Sequence, residues 1–534
     1  VSKPPRERWS SKLGAILAVS SAAVGLGNFL RFPGKAAAYG GGAFMVPYFV
    51  SLLVLGIPIA WAEWTIGRYG GSRGFHSAPG IFRSLWKHRL SPYVGSLSLI
   101  VPFAIYVYYV FIEGWCLGYA WLYATGEFPL RNTSETAYSD FFNAFVGAKQ
   151  HGAILATSPG RLAVLALVAS ASVNLALVYR GINKGIEAFI KVAMPLLLVL
   201  GIVLLIRVLT LGTPNPSMPD QNLWNGLGFM WNPRPHGGGS VWSAIWNPQV
   251  WLEAASQIFF TLGVAFGIIV CYASYVRKDD DIVLSSLTSC ATNEFCEVCL
   301  GGLITLPAAF MFLGAAPLQH VLGSTLSLGF HTLPQVFEWM PAGRAFGFVW
   351  FLLLFLAAIT SSIAMVHPIV AFLQEGLGLS KKAAVLWLTP TTLLGSGIVA
   401  YYSGHMAALD TFDFWAGSIL IFVMGLAIAV VFAVGFDGDA GLAEANRGAR
   451  FSIPRVYGWL LRWACPVYLL AILCAWLYRS AGPYLRQTMR DEGSRVALMF
   501  LLATIIGFVT LTHVAVRRWR RLEPRPHSPP HPQP

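Results

Sequence analysis

The sequence predicts an all-α integral membrane protein of twelve transmembrane helices, and three observations carry the prediction. Of 534 residues only 11% are charged while 56% are hydrophobic, a balance foreign to a water-soluble chain of this length. Apolar runs of about 20 residues, enough to cross ~30 Å of hydrocarbon, recur between polar, glycine or proline breaks. The 37 Lys and Arg residues gather in the short connections between those runs, so the net charge of +13 reads as membrane topology and not as a nucleic-acid-binding surface.

Each run has its own justification in the residues. The first, 13–38, follows the basic start VSKPPRERWSSK with no cleavage site, so it is expected to be retained. Residues 42–68 form the second and 90–124, rich in Tyr and Trp, the third; 161–180 and 185–209 follow, separated by a short basic turn. The sixth is 242–271. The seventh, 283–313, carries Cys296 and Cys299, a pair without the further ligands of a zinc site and read as core. Residues 343–374, 383–400, 408–435, 455–478 and 496–516 complete the set. Seven cysteines are too sparse for a disulfide framework.

An even number of spans puts both termini on one side. With the N-terminus inside, 24 Lys and Arg residues fall in cytoplasmic segments against ten outside, which makes that side the cytoplasm. The expected organisation is a cytoplasmic N-terminal segment (1–12), helices 1–5 (13–209), helices 6–10 (242–435), helices 11–12 (455–516) and a Pro-rich, disordered cytoplasmic tail (517–534). The expected setting is the lipid bilayer of the cell's inner (plasma) membrane. No catalytic signature of the common hydrolase, metalloprotease or nucleotide-binding kinds is present, so an enzyme is not expected.

Two runs are interrupted at about mid-depth. The first contains Ala22-Ala23-Val24-Gly25-Leu26-Gly27-Asn28 and the sixth Thr261-Leu262-Gly263-Val264-Ala265-Phe266-Gly267. Interruptions at corresponding places of two five-helix halves point to an inverted repeat, in which unwound backbone offers carbonyls to cations and helix N-termini to an anionic group. Either break alone also fits a close contact between small residues. Asn28, Arg31, Glu63, Glu113, Asn293, Glu297 and Asp413 all fall in apolar runs as well, where each is costly unless it is paired or lines a watery cavity.

At these residues the chain resembles a known family. RERW at 6–9, VGLGNFLRFP at 24–33, GGGAF at 40–44, EW at 63–64, GRYGG at 67–71, RGINKGIE at 180–187, QIFFTL at 257–262, YASYVRKD at 272–279, TSSIA at 360–364 and DFWAG at 413–417 resemble, in order, the signature of the neurotransmitter:sodium symporter family. The resemblance implies the leucine-transporter fold, with two inverted five-helix repeats and helices 1 and 6 unwound at mid-membrane. It also implies sodium-coupled import of a neutral hydrophobic amino acid by alternating access, with a bundle of helices 1, 2, 6 and 7 rocking against a scaffold.

Residue roles follow from the same resemblance. One sodium ion is implied at the Ala23 carbonyl, the Asn28 side chain, the Thr261 carbonyl and hydroxyl and the Asn293 side chain, completed by the substrate carboxylate. A second is implied at carbonyls of Ser21, Val24 and Ala357 with the hydroxyls of Thr360 and Ser361. The implied substrate pocket comprises Ala23, Leu26, Gly27, Ile105, Tyr109, Phe260, Thr261, Gly263, Phe266, Ser361 and Met365. Its lack of an acid at Gly25 favours an amino acid over an amine. Arg31 and Asp413 match an outer gate pair, Arg6 and Glu375 an inner one, with Trp9 and Tyr275 beside it. Glu297 stands where chloride-dependent members carry serine, so transport is expected to be chloride-independent, with Glu63 a second charge-balancing acid. A proton-coupled carrier of the same fold, a sodium-dependent amino-acid sensor and a homodimer are left open by the sequence.

Overall fold

A computed structural model describes residues 8–129, 135–233, 240, 242, 245–315, 318, 325–436, 439–479 and 481–522; Arg6 and the end of the tail lie outside them. Hydrocarbon offers backbone N–H and C=O groups no water, so apolar runs of this length satisfy them internally as helices. The first run gives two pieces, α1 (Lys12–Ala23) and α2 (Gly27–Ala38), bent by 48°. Then come α3 (Met45–Ser72), α4 (Ser91–Thr125), α5 (Ser158–Gly181) and α6 (Ala188–Leu209). The sixth run is again two pieces, α7 (Pro248–Leu262) and α8 (Ile268–Ala273). The remainder are α9 (Ile282–Leu313), α10 (Gly343–Leu377), α11 (Lys381–Tyr401), α12 (Gly404–Gly435), α13 (Arg455–Tyr478) and α14 (Glu492–Leu522), so residues 517–522 of the tail expected to be disordered continue the last helix.

Among the described residues nine uninterrupted helical stretches are long and apolar enough to cross a membrane, and α1 with α2 makes a tenth candidate. One of the nine, Ser158–Leu209, runs for 52 residues, more than twice what a bilayer needs, and Gly181 at φ +84° divides it into α5 and α6. Helix starts carry side-chain caps where the sequence supplies them. Ser11, Thr157, Asn247, Asp281 and Ser380 each accept from a backbone N–H two or three residues on, at 2.9–3.2 Å.

Burial separates core helices from those facing lipid. The apolar window of α4 is 94% buried and that of α10 is 83% buried, whereas those of Ser158–Leu209 and α13 are only 33% and 17% buried. Apolar surface left exposed on that scale has lipid as its natural solvent. The centre of the molecule is therefore α4 and α10, with the broken pieces α1 and α8 packed against α10.

One close approach positions a broken piece. A Cβ at Gly67 of α3 would lie 2.4 Å from the carbonyl oxygen of Val270, and one at Gly71 would lie 1.9 Å from that of Ser274. Small residues spaced four apart let α3 and α8 touch backbone to backbone. We expect Gly71→Ala to cost about 1–3 kcal/mol by overpacking, read as a fall of several degrees in the detergent melting temperature; an unchanged value would mean the two helices separate freely. Just beyond, the buried Arg68 donates to the carbonyl oxygens of Asp280 at 2.8 Å and Arg447 at 2.9 Å and to that of Glu444, tying α3 to the turn after α8 and to the short helix Asp439–Ala445.

Candidate functional site

The site is built on the two breaks. The α1 helix ends when Val24 turns extended, at φ −71° and ψ 101°, and the amides thus freed find side chains: Gly25 N–H donates to Asn28 Oδ1 at 2.8 Å and Leu26 N–H to the Tyr109 hydroxyl at 3.2 Å. Between α7 and α8, Gly263, Ala265 and Gly267 all have left-handed φ, at +62°, +65° and +79°. For an alanine that conformation costs about 1–2 kcal/mol, and Glu63 of α3 lies against the backbone amides of Ala265 and Gly267 that it exposes.

Where the breaks meet, oxygen atoms crowd round one nitrogen. Asn28 Nδ2 has Asn293 Oδ1 at 2.8 Å, Thr261 Oγ1 at 3.2 Å, Glu297 Oε2 at 3.2 Å and the Asn293 carbonyl at 3.4 Å. All four side chains are buried. An amide nitrogen carries two hydrogens, so four acceptors exceed what it can satisfy, and the surplus makes the spot attractive to a cation. The donor set of two amides and a hydroxyl, with one carboxylate behind them, suits a hard alkali ion that prefers oxygen.

A second oxygen cluster lies on α10. The Ser361 hydroxyl sits 3.4 Å from the Val24 carbonyl and 3.1 Å from that of Ala357, and the Thr360 hydroxyl sits 3.1 Å from the Ala357 carbonyl and 2.9 Å from that of Leu356. Both hydroxyls bond back into their own helix, as such residues do in apolar surroundings. Ser21 directs its hydroxyl to the Ala18 carbonyl at 3.0 Å.

Next to both clusters is a small cavity. Ala23, Gly27, Tyr109, Phe260, Thr261, Gly263, Phe266, Ser361 and Met365, all in the pocket implied by the resemblance, line it together with Ala22, Gly25, Asn28 and Ile268. Leu26 and Ile105 are buried but do not line it. Its volume is about 20 Å³, room for roughly one water, so an amino acid enters only if the walls separate. A Cβ at Gly25 would lie 2.9 Å from the Tyr109 hydroxyl and 3.0 Å from Ser361 Oγ, leaving an acid there no place without displacing both.

Polar layers lie beyond the cavity. Arg31 donates to Gln257 Oε1 at 2.7 Å and Ser256 Oγ at 3.1 Å and lies 5.1 Å above the Phe260 ring. Asp413 accepts instead from the Tyr108 hydroxyl at 2.7 Å, so the expected outer pair is not joined directly. Further out, Lys35 and Glu253 form an ion pair at 2.8 Å, and burial with Glu253 alongside pushes the Tyr39 phenol up to about 12, keeping it a donor. In another layer the Glu375 carboxylate accepts from the backbone N–H groups of His76 and Ser77 and from the Ser77 hydroxyl. Tyr275 stacks on His76 at 4.3 Å, and Trp9 donates to the Tyr272 carbonyl at 2.9 Å.

Several participants are given no role by the sequence. Gln257 bridges Arg31 to Glu297, donating to Oε1 of the latter at 2.8 Å. Glu187 accepts from the Ser10 backbone at 2.9 Å and pins the start of α1, while Glu113, Asn174 and Ser362 form a closed network one residue from Ser361. Glu113 stands out in the sequence as an acid within an apolar run, and Gln257 and Glu187 lie in stretches that carry the resemblance, but their partners follow only from their reach across helices.

Comparison with known proteins adds three findings. Residues 6–151 and 133–519 match the sodium:neurotransmitter symporter family. An uncharacterized sodium-dependent transporter of Methanocaldococcus jannaschii is 31% identical over 88% of this chain and 90% of its own length, and YhdH of Bacillus subtilis, named likewise, is 30% identical over 87% and 96%. The solved structure of MhsT in complex with L-phenylalanine aligns at TM-score 0.74 and 30% identity, covering 88% of this chain and 99% of that one.

Proposed function

The chain belongs to the sodium:neurotransmitter symporter family, and on that premise we propose that it imports a neutral hydrophobic amino acid together with two sodium ions, independently of chloride. The observation that carries this reading is the surplus of oxygen acceptors round Asn28 Nδ2, beside a cavity whose mostly apolar walls carry one phenol, two hydroxyls and the Asn28 amide. The first ion takes the oxygens of Asn28, Thr261 and Asn293 with the Ala23 carbonyl. The second takes Thr360, Ser361 and the carbonyls of Ser21, Val24 and Ala357. The phenylalanine complex of MhsT supports a bulky apolar side chain seated among Phe260, Phe266 and Met365.

The same reading counts Ser158–Leu209 as two spans and α7 with α8 as one broken span, giving twelve in two inverted five-helix repeats followed by α13 and α14. Both termini lie in the cytoplasm of a plasma-membrane protein. Alternating access then needs Arg31 to leave Gln257 and Ser256 for Asp413 on one side, and Glu375 to exchange the 76–77 amides for Arg6 on the other. Such partly wet pairs gain little net energy, which suits groups that must exchange partners. Ion and substrate meet at shared residues, so each raises the other's affinity.

The test is uptake of radiolabelled L-leucine and L-phenylalanine into proteoliposomes under an inward sodium gradient, against equimolar potassium. We expect accumulation above equilibrium only with sodium. Binding without accumulation would point to a sensor, and uptake indifferent to sodium would overturn both ion sites.

A further inference from the structure

We propose that a basic cleft between the end of α14 and the segment joining the short helix Ala78–Leu85 to α4 binds the phosphate group of an anionic lipid headgroup. Arg83, Lys87, Arg89 and Arg520, together with His88, line one open cleft of about 410 Å³, with Phe75 among its walls. The size suits a headgroup. No carboxylate is among the described lining residues, and Lys87, Arg89 and Arg520 form no ion pair with a described carboxylate. Lys87, Arg89 and Arg520 round one concavity repel each other until an anion joins them, and guanidinium groups match phosphate oxygens two at a time.

The surroundings favour a lipid over a soluble phosphate. Ile506 and Val514 leave apolar surface exposed along α14, and the helix then turns basic at Arg517, Arg518, Arg520 and Arg521. Leu90, also exposed, sits next to Arg89. Basic side chains directly above an apolar helix surface lie at the depth of lipid phosphates, with the apolar flank left for acyl chains. Arg518 has a separate, structural role, donating to the carbonyls of Glu375 and Gly376 at 3.1 Å. The cleft touches the layer round Glu375, because Phe75 lines it and His76 and Ser77 hold that carboxylate.

The inference rests on α4 and α14 being embedded in a membrane and not on sodium coupling, so a failure of the transport reading leaves its test intact. Full-length protein purified in detergent is titrated with dioleoylphosphatidylglycerol and with dioleoylphosphatidylcholine, and retained lipid is counted by native mass spectrometry. The native chain should retain phosphatidylglycerol at least about tenfold more tightly than the K87Q/R89Q/R520Q variant, while the charge-keeping K87R/R89K/R520K variant retains it like the native chain. Equal retention in the native chain and the glutamine variant, loss in the charge-keeping variant, or phosphatidylcholine held as well as phosphatidylglycerol would overturn the proposal. Displacement of the lipid by inorganic phosphate at about 10 mM, well below the salt needed to screen the cleft, would overturn the lipid source.

Discussion

Asn28→Ala should raise the sodium concentration for half-maximal uptake by about 10–100-fold, the largest effect expected from any single truncation in the site. Three losses coincide at this residue. Its Oδ1 is the partner of the Gly25 amide at the α1 break, and its Nδ2 touches Thr261, Asn293 and Glu297. Truncation therefore removes an oxygen assigned to the first ion, the loss of about 1–3 kcal/mol that sets the shift, and it also frees a buried N–H and leaves a buried carboxylate with one donor fewer. Thr261→Val makes a useful contrast, because it deletes one oxygen and leaves the Gly25 amide satisfied. A smaller shift is expected there. Sodium titrations of uptake in proteoliposomes read both, and an unchanged sodium dependence in Asn28→Ala would place the ion elsewhere.

The helix breaks are legible in the sequence because they fall at corresponding places of two five-helix halves with polar groups beside them, a combination that close contact between small residues does not require. The left-handed Ala265 is different: alanine disfavours that conformation, so nothing in its type announces it, and it sits between the left-handed Gly263 and Gly267. Partner choice among buried charges is also hidden. Arg31 and Asp413 have opposite charge and a family precedent, yet Arg31 reaches Gln257 and Ser256 on α7 while Asp413 takes Tyr108, because the choice depends on side-chain reach between helices. The pocket was legible in much the same degree. Residues at the breaks line it, whereas Leu26 and Ile105 pack behind the wall. Short helices such as Glu135–Val146 and Leu223–Trp231 escape a search for apolar runs since they are too short to span.

The Glu297→Ser variant should convert chloride-independent uptake into chloride-dependent uptake. Glu297 is fully buried, accepts from Gln257 Nε2 at 2.8 Å and from Asn28 Nδ2 at 3.2 Å, and adjoins the oxygens assigned to the first ion. A lone charge at such a place is expensive, and a cation within a few ångströms is what makes it tolerable. The carboxylate and the ion thus support each other, and native uptake should not change when gluconate replaces chloride. Serine deletes the charge and opens space while the amide donors of Gln257 and Asn28 stay, which is a setting for a small anion. Uptake by Glu297→Ser should fall about 10–100-fold in gluconate, the cost of leaving the cation without its counter-charge, and recover to within a few fold in chloride. Glu297→Gln removes the charge without opening the space, so it should stay low in both media. Native uptake that collapses in gluconate would refute the role given to this carboxylate, since the fixed charge would then not be doing what chloride does.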